Sequence, residues 1–158
     1  MPSPSPFTAS NPFRAIFWGG LLAGNFDLVF AFIYYGAKLG VVQSIAGGLL
    51  GRAAYQGGWP TAFLGLLLHF VISFIWAGTY WVATRLLPVL VRHTIPAGLV
   101  YGLVVFYGMN LIVLPLSTLH TKAWPPPFAP WPMTMHMLII GLPIAFSTRT
   151  FSPASRPT

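Results

Sequence analysis

Acidic side chains and cysteine are almost missing from this chain of 158 residues, which has one acidic residue, Asp27, and no cysteine. The lack of thiols excludes disulfides, thiolate metal centres, iron–sulfur clusters and cysteine catalysis. Charged residues make up 6% of the sequence and hydrophobic residues 56%. A water-soluble domain with so little charge could not cover its own surface. The composition therefore predicts an integral membrane protein in contact with a lipid bilayer.

The formal charge of +7 would suggest a nucleic-acid partner in a soluble protein. Here the basic residues stand singly at the ends of apolar runs, which is typical of anchors to lipid headgroups. We therefore expect no nucleic-acid partner. Grouped by loop, the basic residues on one side are Arg14, Arg85, Arg92, Arg149 and Arg156, and those on the other are Lys38, Arg52 and Lys122. This bias predicts that both termini are cytoplasmic.

Apolar runs long enough to cross ~30 Å of hydrocarbon, which takes about 20 helical residues, occur four times. They cover residues 13–35, 60–86, 94–117 and 132–150. We therefore predict an all-α membrane protein, with a four-helix transmembrane bundle as the domain 13–150. The flanking stretches 1–12 and 151–158 are rich in proline and serine and are predicted to be disordered tails. The first tail lacks the apolar core of a signal peptide, so we expect it to be retained.

The segment 36–58 is harder to assign. Its apolar part spans only about sixteen residues, short of the length that a membrane crossing requires. Apolar side chains form one stripe along it, and small or polar side chains form another. An interfacial or re-entrant helix over 39–55 is predicted. The alternative is a fifth crossing, which would place the two termini on opposite sides.

Small residues recur on one face of the predicted spans and allow helix backbones to approach closely in lipid. In the first run this face consists of Gly20, Ala23, Gly24, Asp27 and Ala31. In the second run it consists of Thr61, Gly65, His69, Ser73 and Ala77, with Tyr80 about one turn further on. The third run offers Gly98, Gly102 and Gly108. Since Asp27 and His69 lie on these faces, we expect their helices to pack with the two side chains facing each other.

An ionisable group within a span costs several kcal/mol to insert and is normally kept for a role in the bundle interior. At 1.5 Å per residue from the end that holds the 36–58 and 119–131 loops, Asp27 lies ~12 Å deep, His69 ~13 Å, Asn110 ~10 Å and His136 ~6 Å. The matched depths predict one polar pocket or proton site. Its candidate residues are Asp27, His69, Ser73, Tyr80, Asn110 and His136.

Two contacts are expected within this pocket. The carboxyl of Asp27 should lie within hydrogen-bond reach of His69 or Asn110, directly or through one water. The Asn110 amide should satisfy the Leu111 carbonyl, which Pro115 leaves without an N–H partner. If the carboxyl serves only as a packing device, Asp27→Leu should cost about 1–2 kcal/mol by leaving its partner unsatisfied.

Metal and haem sites are not expected. The run Met133, Met135, His136 and Met137 carries ligands that suit copper(I). Three methionines within five residues of a regular helix point around most of its circumference, so they do not converge on one ion. A bis-histidine haem site is disfavoured because His69 and His136 differ in predicted depth by ~7 Å. We predict no cofactor.

The run His69-Phe-Val-Ile-Ser-Phe-Ile-Trp-Ala-Gly-Thr-Tyr80, followed by Pro88, resembles the corresponding helix of YagU-type bacterial inner-membrane proteins. The likeness extends through the third run to the His136-Met start of the fourth and covers roughly residues 60–146. The element Gly24-Asn-Phe-Asp27 is similar to the Gly-x-x-Asp signature of a related set of small four-span proteins. The resemblance implies a fold and a multi-pass location in the bacterial inner membrane, with no established activity.

Two functions are consistent with these residues. The first is proton-linked transport or handling of a small solute through the intramembrane pocket. The alternative is a non-enzymatic structural or accessory membrane subunit whose polar residues hold helices together. We do not expect an enzyme, because a single carboxylate without a recognisable nucleophile and base leaves little chemistry to assign. A transporter of this size is expected to form a homodimer through its small-residue faces.

Overall fold

The computed structural model describes residues 11–119 and 127–152, and all regular structure in them is helical. The helices are α1 (Pro12–Tyr35), α2 (Leu39–Leu50), α3 (Gly58–Leu86), α4 (Val89–Arg92), α5 (Thr94–Gly108), α6 (Leu114–Leu116), α7 (Pro130–Met135) and α8 (Leu142–Thr150). A 3₁₀ helix, Gly51–Gln56, follows α2. The π-helical turns Met109–Val113 and His136–Gly141 join α5 to α6 and α7 to α8. The predicted tails fall largely outside the described residues.

In the described part of the chain, three helices are long and apolar enough to cross a membrane: Pro12–Tyr35, Gly58–Leu86 and Thr94–Leu116. They coincide within a few residues with three of the predicted runs, and the all-α class is confirmed. Large apolar side chains cover the outside of these helices; Ile33 is 77% exposed and Phe63 is 70% exposed. So much apolar surface is unfavourable in water and suits a lipid environment. The structure is therefore that of a membrane protein.

Local chemistry fixes both ends of α1. Asn11 caps the start, where its Oδ1 accepts a hydrogen bond from the Arg14 backbone N–H at 3.0 Å, and Pro12 occupies the first helical position. Both are features of helix N-termini. The helix ends at Gly36, whose φ of 83° is a conformation that glycine adopts without a steric penalty.

The contact between α1 and α3 uses the small-residue face that the sequence predicts. A Cβ added at Gly20 would lie 3.1 Å from the Phe74 Cα, and one added at Gly24 would lie 3.0 Å from the Phe70 ring. The absence of side chains at these two glycines therefore lets α3 approach the backbone of α1. Such close approach is the usual basis of helix association in lipid.

A second close contact joins α5 to the helical stretch 130–150. A Cβ at Gly102 would lie 2.7 Å from the His136 carbonyl carbon, and a Cβ at Gly141 would lie 2.7 Å from the Gly102 nitrogen. Gly98 lies on the same face, against Ala145. Gly98 and Gly102 were predicted from the sequence, whereas Gly141, the tightest point of this crossing, was not. Gly108, the third predicted glycine, faces the Trp76 ring instead.

The predicted 39–55 helix is present as α2 and the 3₁₀ helix. Apolar, small and polar side chains all face the protein: Val42, Gln43, Ala46 and Gly47 are buried. The Gln43 Nε2 donates to the Gly58 carbonyl at 3.0 Å and approaches the Thr61 Oγ1 at 3.2 Å. Leu49 and Leu50 are exposed. The helix is therefore hydrogen-bonded to α3 through Gln43, and part of its apolar surface points outward.

Aromatic side chains fill the space between α3 and α5. The Tyr101 hydroxyl donates to the Trp76 carbonyl at 2.6 Å, and the Tyr80 and Tyr101 rings lie 4.7 Å apart. At the same end of the molecule the Ser147 hydroxyl donates to the Ala15 carbonyl at 2.9 Å. The Asn11 N–H donates to the Phe151 carbonyl at 3.2 Å, so the two ends of the described chain are adjacent. The main cluster of buried apolar side chains among the described residues includes Ala77, Tyr80, Ile144 and Ala145.

Candidate functional site

A cavity of about 640 Å³ lies between α1, α2, α3, α5 and the stretch 130–141. Polar side chains line it in two zones. We call the lining residues Asp27, His69, Ser73 and His136, which lie within the long helices or the stretch 130–141, the inner zone. The lining residues Tyr35, Lys38, Ser44 and Tyr55, which lie at the end of α1 or on the segment 36–58, form the outer zone. Aromatic rings also line it: Phe30, Tyr35, Tyr55 and Trp76. A volume of this size is within the range of about 300–1,000 Å³ for small-molecule sites.

The structure thus brings four predicted residues together in one cavity: Asp27, His69, Ser73 and His136. Tyr80 and Asn110 are not part of its lining. Tyr80 is 1% exposed, and its hydroxyl donates to the Leu90 carbonyl at 3.3 Å. It belongs to the packed core at the other end of α3, away from the lining of the cavity.

Asn110 is occupied by its own helix. Its Nδ2 donates to the Phe106 carbonyl at 2.8 Å, four residues earlier in the chain. The expected contact with the Leu111 carbonyl is therefore wrong. A π-helical turn, Met109–Val113, surrounds this position, and such turns change the pairing of backbone groups near a proline. Asn110 consequently supports helix geometry and leaves the cavity to other residues.

His69 and Ser73 connect α3 to α1. The His69 Nε2 lies 2.8 Å from the Gly24 carbonyl oxygen, and the Ser73 hydroxyl donates to the Gly20 carbonyl at 2.7 Å. A carbonyl oxygen can only accept, so His69 carries its proton on Nε2 in this contact. The pairs 69 with 24 and 73 with 20 also show that the two helices are antiparallel.

His136 is held in the opposite tautomer. Its Nδ1 lies 2.9 Å from the Pro132 carbonyl oxygen, so the hydrogen is on Nδ1 and the neutral ring keeps Nε2 as an acceptor. The Phe106 ring contacts the imidazole edge to face, with centroids 5.3 Å apart. Backbone and aromatic contacts therefore fix the orientation of His136 in the cavity wall.

The Asp27 carboxyl has no protein partner within the described ranges 11–119 and 127–152: no hydrogen bond or ion pair reaches it. The predicted direct contact with His69 or Asn110 is therefore not formed; both side chains instead donate to backbone carbonyls. A contact through one water stays a prediction. In Asp27→Leu, His69 and Asn110 would both keep their backbone partners. The destabilisation of about 1–2 kcal/mol that an unsatisfied partner would cause is therefore no longer expected.

The electrostatics of the cavity are simple because the chain has one acidic residue. Asp27 is half-buried and Lys38 is exposed. Lys38 precedes α2 as its N-terminal flanking residue, beyond the end of α1, so it marks the outer zone of the cavity. The inner zone has the carboxyl as its one formally charged group among the lining residues of the described chain.

Sequence reasoning missed several residues of the cavity. Trp76 lies about one turn beyond Ser73 on α3, and its Nε1 donates to the Met109 sulfur at 3.4 Å. Phe30 lies about one turn beyond Asp27 on α1. Their helical spacing from the predicted polar residues was a usable signal. Tyr55 and Ser44 had no such signal, because their place depends on how α2 and the 3₁₀ helix fold back.

Metal ligands do not cluster in the described part of the chain, where no three His, Cys, Asp or Glu side chains converge on a common point. Within the methionine run, the Met133 sulfur accepts a contact from the Tyr107 hydroxyl at 3.9 Å. The chemistry available in the cavity is therefore that of one carboxyl, one lysine amine, two imidazoles, several hydroxyls and aromatic rings.

Comparisons with known proteins do not assign this chain to a family: no family model, curated protein or solved structure matches it.

Proposed function

We propose that this chain is a four-span protein of the bacterial inner membrane in which α2 and the 3₁₀ helix form a re-entrant or interfacial element. The fourth span would be the stretch 130–150, whose helical length of about 31 Å matches the hydrocarbon thickness. Its close crossing with α5 at Gly141 supports this placement. The inner-membrane location follows from the resemblance to YagU-type proteins, and a homodimer from the small size of the chain.

The adjacent chain ends support an even number of crossings. Asn11 and Phe151 are hydrogen-bonded to each other, whereas a fifth crossing would place the termini on opposite sides. The 12 residues of α2 extend only about 18 Å, which is too short to cross the bilayer. The outward-facing Leu49 and Leu50 fit a helix in contact with acyl chains.

Both termini are expected to be cytoplasmic and the loop 119–131 external. Arg14, Arg85 and Arg149 lie near the helix ends on the terminal side, in agreement with the positive-inside rule. Single cysteines at Ser3, Ala123 and Ser155, which lie outside the described residues, would have no native thiol as background. An impermeant thiol reagent applied to intact cells should label position 123 alone. Labelling at position 3 or 155 would reverse the topology.

For the activity we propose proton-linked handling of a small solute in the cavity. The observation that carries this proposal is the Asp27 carboxyl, which has no partner among the described residues and lines the cavity, while His69 and Ser73 beside it are hydrogen-bonded. A carboxyl within a span that is needed only for packing would be expected to have a partner. One left open to a cavity is free to bind a proton or a solute.

The two histidines supply further proton acceptors. In their observed hydrogen bonds, neutral His69 keeps Nδ1 and neutral His136 keeps Nε2 as acceptor nitrogens. Gly24, which binds His69, precedes Asp27 by one turn, about 4.5 Å along the helix axis. Because no direct bond joins the carboxyl to either imidazole, a water or the solute itself would have to connect them.

A structural or accessory subunit is the second candidate, and one observation favours it. The side chains of His69 and Ser73 both bind backbone carbonyls of α1, which is how polar residues join helices in membranes. In this case the cavity would be a packing defect or a lipid site, and proton exchange at Asp27 would have no function.

Asp27→Asn separates these two functions. Asparagine keeps the shape and hydrogen-bonding capacity of the carboxyl but removes the titratable proton, so the variant should insert and remain as stable as the wild type in detergent. Proton-coupled uptake, or survival of acid stress by cells that depend on the protein, should be lost. Asp27→Leu should also fold, since no partner is left unsatisfied. If Asp27→Asn behaves as wild type in the cellular assay, the proton-linked function is refuted and the structural one remains.

A further inference from the structure

The cavity has a charge asymmetry that selects among solutes. Asp27 is the one acidic residue of the chain and lines the inner zone without an ion pair in the described residues. The neighbouring imidazoles each donate one N–H to a backbone carbonyl and can be neutral. An ionised carboxyl in an apolar enclosure needs a counter-charge. Nothing in the inner zone of the described structure supplies it, so a cationic ligand would.

Aromatic faces surround the same space. Trp76 lines it from α3, Phe30 and Tyr35 line it from α1, and Tyr55 lines it from the 3₁₀ helix. Aromatic rings attract cations through their electron-rich faces, tryptophan most strongly, and the attraction increases where water is excluded. They also accept apolar substituents. The lining therefore suits a cation whose charge is dispersed and shielded by apolar groups more than a compact, strongly hydrated ion.

We propose that the cavity binds a lipophilic organic cation, such as a quaternary ammonium or phosphonium ion with apolar substituents, in exchange for the proton of Asp27. The proposal rests on the proton-linked function above and names its substrate class. The exchange balances: Asp27–COOH and the cation give the carboxylate–cation pair and one released proton. Because the proton and the cation occupy the same carboxyl in turn, binding one displaces the other.

Several other titratable groups face the exchange site. His69 approaches from α3 and His136 from the stretch 130–141, while Tyr35, Lys38 and Tyr55 line the outer zone. Protonated imidazoles would oppose a bound cation at low pH and so act in the same direction as protonation of Asp27. Lys38 has the opposite sign to Asp27 and stands at the exposed side of the cavity, where it would repel a cation and attract an anion.

The probe series is methyltriphenylphosphonium, its neutral carbon analogue 1,1,1-triphenylethane and the anion methyltriphenylborate, which share one shape and differ in charge. Each is added to the purified full-length protein in weakly buffered detergent, with empty micelles as background. The cation should bind and release about one proton per molecule bound. Its affinity should rise about tenfold per pH unit while Asp27 is protonated and then level off. The neutral and anionic analogues should release no protons.

Two variants test the sign and the position of the charge. Asp27→Asn should weaken cation binding at least tenfold and abolish the proton release. Lys38→Gln should strengthen cation binding several-fold, because it removes a like charge from the outer zone.

In the exchanged variant Asn25→Asp with Asp27→Asn, the carboxyl moves to the exposed side of α1, where Asn25 lies, and cation binding should stay lost. If that variant fails to insert, Asp27→Asn alone decides.

Preference for the anion, or weaker cation binding in Lys38→Gln, would overturn the assignment to cations. If Asp27→Asn abolishes proton-coupled activity in cells but the cation neither binds nor releases protons, the substrate class is wrong and the proposed function stands. If Asp27→Asn is normal in cells and no probe releases protons, both proposals are refuted.

Discussion

Gly65→Ala is expected to separate α2 from α3 and to open the cavity. A Cβ at Gly65 would overlap the Val42 carbonyl oxygen and lie 2.7 Å from its carbon and 3.2 Å from the Ala46 nitrogen. All three are backbone atoms, so no side chain can turn away to relieve the contact. Overpacking of this kind usually costs about 1–3 kcal/mol and occasionally more, and here we expect the upper end.

The same displacement should affect function. Moving α2 away from α3 would strain the hydrogen bonds from Gln43 to Gly58 and Thr61 and withdraw Val41, Ser44 and Ile45 from the cavity wall. Proton-linked activity should therefore fall together with the melting temperature in detergent. A cysteine placed at Ser44 should react faster with a thiol reagent in the Gly65→Ala background than in the wild-type background.

Gly40→Ala is the matched control for this change. Gly40 lies on α2, the helix whose backbone Gly65 contacts, but a Cβ there would meet nothing within 4 Å. Alanine also favours a helix over glycine by up to about 1 kcal/mol, so stability should stay equal or rise slightly. Equal melting temperatures for Gly65→Ala and the wild type would show that α2 is not held against α3 through this glycine.

Gly141→Ala should destabilise the contact between α5 and the stretch 130–150. Its Cβ would overlap the Gly98 carbonyl oxygen and lie 2.7 Å from the Gly102 nitrogen and 2.9 Å from the Gly98 carbon. All three are backbone atoms of α5, so the helices would have to move apart. We expect a loss of about 3 kcal/mol, measured by reversible unfolding in mixed micelles.

Gly78→Ala is the control for the second change. Gly78 lies within a span, but its nearest neighbour for an added Cβ is the end of the Ile16 side chain at 3.9 Å, an ordinary contact. Its stability should match or slightly exceed that of the wild type. A Gly141→Ala variant that unfolds at the same denaturant concentration as Gly78→Ala would refute the close crossing at Gly141.

These variants leave Asp27 in place, which makes them complementary to Asp27→Asn. Gly65→Ala should reduce stability and activity together, since it removes a wall of the cavity. Asp27→Asn should reduce activity alone, because the carboxyl makes no contact that holds helices together in the described structure. If Gly65→Ala lowers both stability and activity while Asp27→Asn lowers activity alone, the carboxyl is needed for function and the glycine for helix packing.

The sequence by itself determined the class and the main elements of this protein. Scarce charge and long apolar runs predict membrane helices because lipid requires both, and three of the runs appear as helices able to cross a membrane. The small-residue face of α1 is visible in the spacing of Gly20 and Gly24, because helical periodicity converts sequence spacing directly into a face. Asp27 can be identified from the sequence because inserting an ionisable group into a membrane span costs free energy.

Only the tertiary structure decided which polar groups pair. His69 binds the Gly24 carbonyl and Asn110 the Phe106 carbonyl, although depth matching placed both near Asp27. Depth along a helix is a local property, counted from its ends. Hydrogen bonding also depends on rotation and separation of the helices, and backbone carbonyls compete for every donor at each level of a bundle.

The cavity itself was also decided by long-range packing. Its outer wall comes from α2 and the 3₁₀ helix, which fold back against α3 because Gly65 has no side chain and Gln43 finds two acceptors there. Neither residue reveals its distant partner in the sequence. The sequence therefore determined that a carboxyl lies within a span. The packing of helices distant in the chain determined that this carboxyl lines a cavity and has no partner among the described residues.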